Sequence, residues 1–186
     1  FEKNAKPDIA ITEDELRSLI DIGESEGVIE TKEAELLERV FKFGDKEVRE
    51  VMTPRTEMVF VPNNSTIQQF LQTTATHTHT RYPVYKQTTD NIIGIISAKD
   101  VLKSMSFFQQ NLDLQAPLTD VIRDVYFIPE TKSISELFDE LRKTGNQMAI
   151  AIDEFGGIAG LVTIKGLLEE IVGSVGEEGS GPNIEY

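Results

Sequence analysis

An internal repeat of the sequence constrains the fold more than any other feature. The segment Phe60–Ile67 aligns with Phe127–Ile134 at an offset of 67 residues, and Gly94–Ser97 aligns with Gly160–Thr163 at an offset of 66. Each copy shows the pattern strand, helix, strand, strand, helix. Because copies of about 60 residues bury their apolar faces poorly alone, we expect them to pack together as a pseudo-two-fold α/β (α+β) unit.

Helix starts and turns are also repeated in the two copies. Ser65 with Gln68 and Ser133 with Glu136 have the spacing of a helix-capping box, which predicts a helix after each serine. The two strands that follow each helix are predicted to be joined by a turn, at 86–91 in the first copy and 153–157 in the second.

The repeat divides the chain into five segments. These are an acidic helical segment at 1–50, a first repeat at 51–106, a linker at 107–117, a second repeat at 118–173 and a flexible acidic tail at 174–186. The first segment carries 15 acidic and 8 basic residues, and a capping box at Thr12 and Glu15 opens its first helix. Amphipathicity fits two interpretations, an arm that docks on a neighbour or a small helical cap packed on its own domain.

Composition excludes several classes of protein. The chain has no cysteine, so disulfides, thiol catalysis and zinc sites built on thiolates are excluded. No apolar run approaches the roughly 18 residues that cross a bilayer, and the first residues lack signal-peptide character, so the chain as given is expected to be soluble. A net charge of −14 argues against nucleic-acid binding and against docking on anionic lipid.

The junction between strand and helix at Ser97 is the most informative candidate site. Ser97 stands at a helix N-cap position, where its hydroxyl and free backbone amides could bind a phosphate. Asp100, one turn later, could accept hydrogen bonds from both hydroxyls of a ribose. The alternative is that both residues only cap the helix. The second copy repeats the hydroxyl at Thr163 but has Gly166 in place of the aspartate, so two unequal sites are expected.

Other candidates have open alternatives. Lys99 either reaches a phosphate or lies in solvent, and Arg81 either neutralises a phosphate or pairs with a surface carboxylate. Thr53 either contributes to a base pocket or belongs to a plain turn that leads into the repeat. His77 and His79 lack a third ligand, so no metal site is expected. Nucleophile and base constellations are not evident, and we expect no enzyme.

Several strings of the sequence resemble a known family. The paired repeats, each with Gly, two apolar residues and Ser or Thr, resemble a tandem cystathionine-beta-synthase (CBS) domain pair, or Bateman module. Six strings are similar to the CorC/HlyC family of hemolysin-like magnesium and cobalt efflux proteins: Val51–Arg55, Thr80–Val84, Met148–Ile150, Asp153–Gly157, Gly160–Thr163 and Leu167–Gly173.

The resemblance implies a regulatory module that binds AMP, ADP or ATP, with or without Mg²⁺, between its repeats. It also implies a homodimer and attachment to a membrane domain, with this segment on the cytoplasmic face of the inner membrane. The nucleotide-binding residues that it implies are Thr53, His79, Arg81, Pro83, Ser97, Lys99, Asp100, Met148, Ala149 and Thr163. His79 and Arg81 are expected to face the second site, where Gly166 departs from the pattern. The alternative function is a structural dimerisation or docking module with vestigial clefts.

Overall fold

The computed structural model describes residues 11–77, 79–107 and 113–174. Part of the predicted linker (108–112) and most of the predicted tail (175–186) lie outside the described residues, as do residues 1–10 of the N-terminal segment. The chain divides into two compact units, one of residues 1–45 with 168–186 and one of residues 46–167, and the division falls within the last helix. None of the helices in the described ranges combines the length and the apolarity needed to cross a bilayer.

The N-terminal segment forms two helices, α1 (Glu13–Ser25) and α2 (Thr31–Asp45). The predicted capping box is present, since the Glu15 amide donates to the Thr12 hydroxyl at 3.3 Å and the Thr12 amide donates to the Glu15 carboxylate at 2.9 Å. Gly27 has a φ of +73° in the connecting turn, a conformation that glycine adopts without strain. A third, short helix α3 (Val48–Val51) begins the second unit.

Each repeat forms one sheet with two helices, in the predicted order. The elements are β1 (Thr53–Pro54), β2 (Val61–Pro62), α4 (Ile67–Thr76), β3 (Arg81–Lys86), β4 (Thr88–Ser97), α5 (Ala98–Phe107), β5 (Phe127–Pro129), α6 (Ile134–Thr144), β6 (Met148–Ile152), β7 (Ile158–Thr163) and α7 (Ile164–Val172). The strand orders are β2-β3-β4 and β1-β7-β6-β5, with the first pair of each repeat parallel and the hairpin antiparallel. The predicted fold class is confirmed.

Clusters of buried side chains hold the repeats together. One lies mainly in the first repeat, where Phe70 packs edge-on against Tyr82 with ring centroids 5.5 Å apart, and it includes Leu118 of the second repeat. The second combines both repeats, because Met58 and Ile92 of the first repeat pack with Ile150 and Ile158 of the second. This shared cluster is the apolar contact that the small size of each repeat led us to expect.

The first residues of each repeat pair with the sheet of the other repeat. Strand β1, near the start of the first repeat, pairs with β7 of the second, and Arg123, near the start of the second repeat, exchanges two backbone hydrogen bonds of 2.9 Å with Ile95 in β4 of the first. Gly94 and Gly160, which are equivalent in the two copies, make room for these crossings. A Cβ at Gly94 would lie 2.6 Å from the Arg123 carbonyl oxygen, and one at Gly160 would lie 2.9 Å from Met52 Sδ.

Some local predictions were wrong. Helix α4 begins one residue later than expected, because Thr66 with Gln69 forms its capping box while Ser65 is buried. Ser133 is the N-cap of α6, but its side chain makes no capping hydrogen bond. The first hairpin turn is shorter than the predicted 86–91. It consists of Gln87 alone, which has a φ of +68°, because β4 already begins at Thr88.

Candidate functional site

A cleft of about 460 Å³ lies between the two repeats. The first repeat contributes the end of β4 and the first turns of α5, and the second repeat contributes the segment before β5 and the turn before β6. The residues that line it are Arg81, Ile95, Ser97, Lys99, Asp100, Lys103, Arg123, Asp124, Gly145, Asn146, Gln147 and Met148. Five of the ten predicted binding residues therefore share this cleft, namely Arg81, Ser97, Lys99, Asp100 and Met148.

Ser97 and Asp100 are positioned by the junction of β4 with α5. Ser97 is the last residue of the strand and is 9% exposed, and the next residue begins the helix, with its amide donating to the Thr80 carbonyl at 3.1 Å. Asp100 lies in the first turn of the helix, where a negative charge is favoured by the unpaired backbone amides. A serine hydroxyl, a helix N-terminus and a carboxylate thus border one cavity.

Arg81 enters this same cleft through the register of the sheet. It was expected to face the second site, but it is the cross-strand partner of Ser97. Residues directly opposite in an antiparallel pair project from the same face, so their side chains point to the same side of the sheet. The structure therefore places Arg81 in the lining of the cleft that contains Asp100.

Asp100 makes an ion pair across the repeats. Its Oδ1 accepts a hydrogen bond from Arg123 Nη2 at 2.6 Å, and the Asp100 side chain is 18% exposed while that of Arg123 is 70% exposed. Arg123 was not among the residues predicted from the sequence. The available signal was its place near the start of the second repeat, in the segment that corresponds to Thr53–Arg55 of the first.

The charge of the cleft differs from that of the chain. Four cationic side chains line it, those of Arg81, Lys99, Lys103 and Arg123, against two carboxylates, Asp100 and Asp124. In a chain of net charge −14, this excess of positive charge favours an anionic ligand. Over the residues that the structure describes, no three His, Asp or Glu side chains converge to hold a metal ion.

The equivalent junction of the second repeat is built differently. Thr163 ends β7, and its hydroxyl accepts a hydrogen bond from the Gly166 amide at 3.0 Å, which caps α7. No side chain extends from Gly166 at the position that Asp100 occupies in the first repeat. The inequality expected between the two junctions is therefore present in the structure.

The remaining predicted residues lie outside the lining of the cleft. Thr53 is exposed in β1, opposite Leu161, and His79 is exposed, with its ring centroid 6.0 Å from that of Tyr82. Pro83 and Ala149 are buried within β3 and β6.

Comparison with protein-family models matches the CBS domain at residues 48–106 and again at residues 118–173. The chain belongs to the CBS domain family. Its two repeats are thus two CBS domains, and the inferred resemblance to a tandem CBS pair is confirmed.

Several similar proteins are named as magnesium or cobalt transport proteins. The magnesium and cobalt efflux protein CorC of Salmonella typhimurium is 39% identical over 167 residues, which is 89% of this chain and 55% of that protein. A solved CBS domain of the bacterial CNNM/CorC family Mg²⁺ transporter is 36% identical, with a TM-score of 0.82, and the match covers 90% of this chain and 99% of that one. The structure of such a domain in complex with ATP is 36% identical, with a TM-score of 0.70, covering 76% and 97%.

The chain spans between 38% and 55% of the length of the curated relatives that it matches. It therefore corresponds to a part of those proteins, and that part contains the CBS pair. The resemblance to CorC/HlyC efflux proteins is confirmed by these relatives.

Proposed function

We propose that this CBS pair is a regulatory module that binds an adenine nucleotide in the cleft between its repeats. The observation that carries the proposal is the meeting of Ser97, Asp100 and an excess of cationic side chains in one inter-repeat cleft. A nucleotide offers matching groups, because its phosphates suit the cations and the helix N-terminus, and its ribose hydroxyls suit a carboxylate.

The similar proteins support this ligand class. A CBS domain of 36% identity was solved in complex with ATP, and CorC of 39% identity is a magnesium and cobalt efflux protein. On this basis AMP, ADP or ATP, with or without Mg²⁺, is the proposed ligand. The proposed setting is the cytoplasmic side of a membrane protein that exports magnesium or cobalt, with a membrane domain of the same protein as a partner and with no catalytic role.

Regulation requires that the ligand bind two arrangements of the module with different affinity. We propose that the module forms a homodimer, whose two arrangements differ in nucleotide affinity. Analytical ultracentrifugation of the purified chain with and without nucleotide tests this part of the proposal.

Isothermal titration calorimetry with AMP, ADP and ATP, each with and without Mg²⁺, tests the site. We expect saturation near one ligand per chain and at least tenfold weaker binding for Asp100→Ala, because the ribose loses its acceptor. The matched control is Asp139→Ala, which removes an exposed carboxylate of α6 outside the cleft.

Two results would contradict this proposal. Unchanged affinity in Asp100→Ala would refute the assignment of the site, provided that the control behaves as wild type. No binding of any of the three nucleotides to a folded, nucleotide-free sample would favour the alternative, a dimerisation or docking module with vestigial clefts. The capped Thr163 and the glycine at 166 are the observations that fit this alternative.

A further inference from the structure

Arg123 forms an ion pair with Asp100, the carboxylate to which the ribose of a nucleotide is proposed to bind. Its Nη2 donates to Asp100 Oδ1 at 2.6 Å, and it stands in the cleft beside three other cationic side chains. We propose that Arg123 determines specificity by favouring phosphorylated ligands over the corresponding nucleoside. This inference rests on the proposed function, since it concerns the same cleft.

The backbone of Arg123 is fixed while its side chain is not enclosed. Two hydrogen bonds of 2.9 Å hold its peptide to Ile95, whereas the side chain is 70% exposed. A second cavity of about 280 Å³ is lined by Asp100, Lys103 and Arg123 together with residues 120–122. The ion pair thus lies between the inter-repeat cleft and this second cavity. The guanidinium has room to leave Asp100 while the backbone hydrogen bonds between Arg123 and Ile95 stay intact.

The two classes of ligand make different demands on this ion pair. A nucleoside needs Asp100 as an acceptor for its ribose hydroxyls, so it competes with Arg123 for that carboxylate. It has no phosphate to which the displaced guanidinium could donate. A nucleotide makes the same demand but brings a phosphate to the junction of Ser97. The released guanidinium can then donate to that phosphate, and charge-assisted bonds of this kind are strong. Arg123 therefore opposes nucleoside binding and assists nucleotide binding.

The expected magnitudes differ for the two ligands. An ion pair with so exposed an arginine is weak, so its removal should improve adenosine binding by about two- to fivefold. Loss of a charge-assisted bond to phosphate should weaken ATP binding by about tenfold or more. The opposite signs separate this mechanism from general damage to the site, which would weaken both ligands.

Calorimetric titration of the whole chain with adenosine and with ATP tests the inference in wild type, Arg123→Gln and Arg142→Gln. Arg142 is an exposed arginine of α6 outside the cleft, so its substitution controls for the loss of one positive charge. We expect Arg123→Gln to bind ATP more weakly and adenosine more tightly, and Arg142→Gln to bind both as wild type does. In the Asp100→Ala background, Arg123→Gln should bring no gain for adenosine.

Other outcomes overturn the inference. Parallel losses for both ligands, or unchanged affinities, in Arg123→Gln with a wild-type unfolding midpoint would show that Arg123 does not discriminate between them. A wild-type chain that binds neither ligand would instead refute the proposed function, so the two failures are distinguishable.

Discussion

Replacing Gly94 by alanine is expected to destabilise the unit of residues 46–167 by forcing the two repeats apart where the chain crosses between them. The added Cβ would lie 2.6 Å from the Arg123 carbonyl oxygen and closer still to Ile122 Cγ2. Ordinary contacts of this kind begin near 3.4 Å. The Ile122 side chain can rotate, but the carbonyl belongs to the backbone that is hydrogen-bonded to Ile95, so the crossing segment itself must move.

The cost follows from what that movement breaks. Two backbone hydrogen bonds join Arg123 to Ile95, and each contributes about 0.5–1.5 kcal/mol to the free energy of unfolding. Overpacking a filled interior costs about 1–3 kcal/mol. Part of the strain is relieved when these hydrogen bonds break, so we expect the free energy of unfolding to fall by about 2–5 kcal/mol in total. This is a large share of the roughly 5–15 kcal/mol that stabilises a typical domain.

Urea unfolding followed by circular dichroism measures this loss, with Gly160→Ala as the equivalent change in the second repeat. The control is Gly44→Ala, because a Cβ at Gly44 in helix α2 meets nothing within 4 Å. Alanine suits a helix better than glycine, so this variant should be as stable as wild type or more stable by up to about 1 kcal/mol. A Gly94→Ala chain that unfolds with the free energy of wild type would refute the reasoning.

Two further predictions concern the second junction and a polar network. Gly166→Asp should raise the calorimetric stoichiometry from one nucleotide per chain to two, because it supplies a carboxylate beside Thr163. Gly166→Ala is the control, and a stoichiometry of one in Gly166→Asp would contradict the prediction. Hydrogen bonds from Lys132 and Tyr126 lower the pKa of the Glu140 carboxyl. A lowered pKa stabilises the fold above the ordinary glutamate value of about 4.3, and this contribution is lost as the pH falls through the folded value. Glu140→Gln should therefore destabilise the chain more at pH 7 than at pH 3 in thermal unfolding, and an equal deficit at both would contradict this account.

The order of strands and helices was predictable because it rests on local patterns that occur twice. Apolar spacing and the capping box at Thr12 are properties of neighbouring residues, and the structure has both. The start of α4 was misplaced by one residue because Ser65 and Thr66 both fit a capping position. Burial selects between them, since Ser65 packs inside while Thr66 accepts the Gln69 amide.

The site was only partly predictable from sequence because it joins segments distant in the chain. Ser97 and Asp100 lie one turn apart, and their spacing alone indicated a shared role. Arg123 reaches Asp100 only because the first residues of the second repeat cross to β4. The sequence does contain a trace of that crossing, since Gly94 and Gly160 recur at equivalent positions, but the reason for the glycines becomes visible only with the opposing backbone in place.

The crossing also connects the cleft to the packing of the repeats. Arg123 lines the cleft with its side chain, while its peptide makes the bridge to Ile95, which also borders the cleft. The exposed side chain can therefore exchange partners in the cleft while the peptide keeps the two repeats joined. The second crossing, between β1 and β7, lies beside the junction that has Gly166 instead of an aspartate. Since only the first junction has the carboxylate, the proposed ligand would contact a residue of the crossing at β4, and the crossing at β7 would lack the corresponding contact.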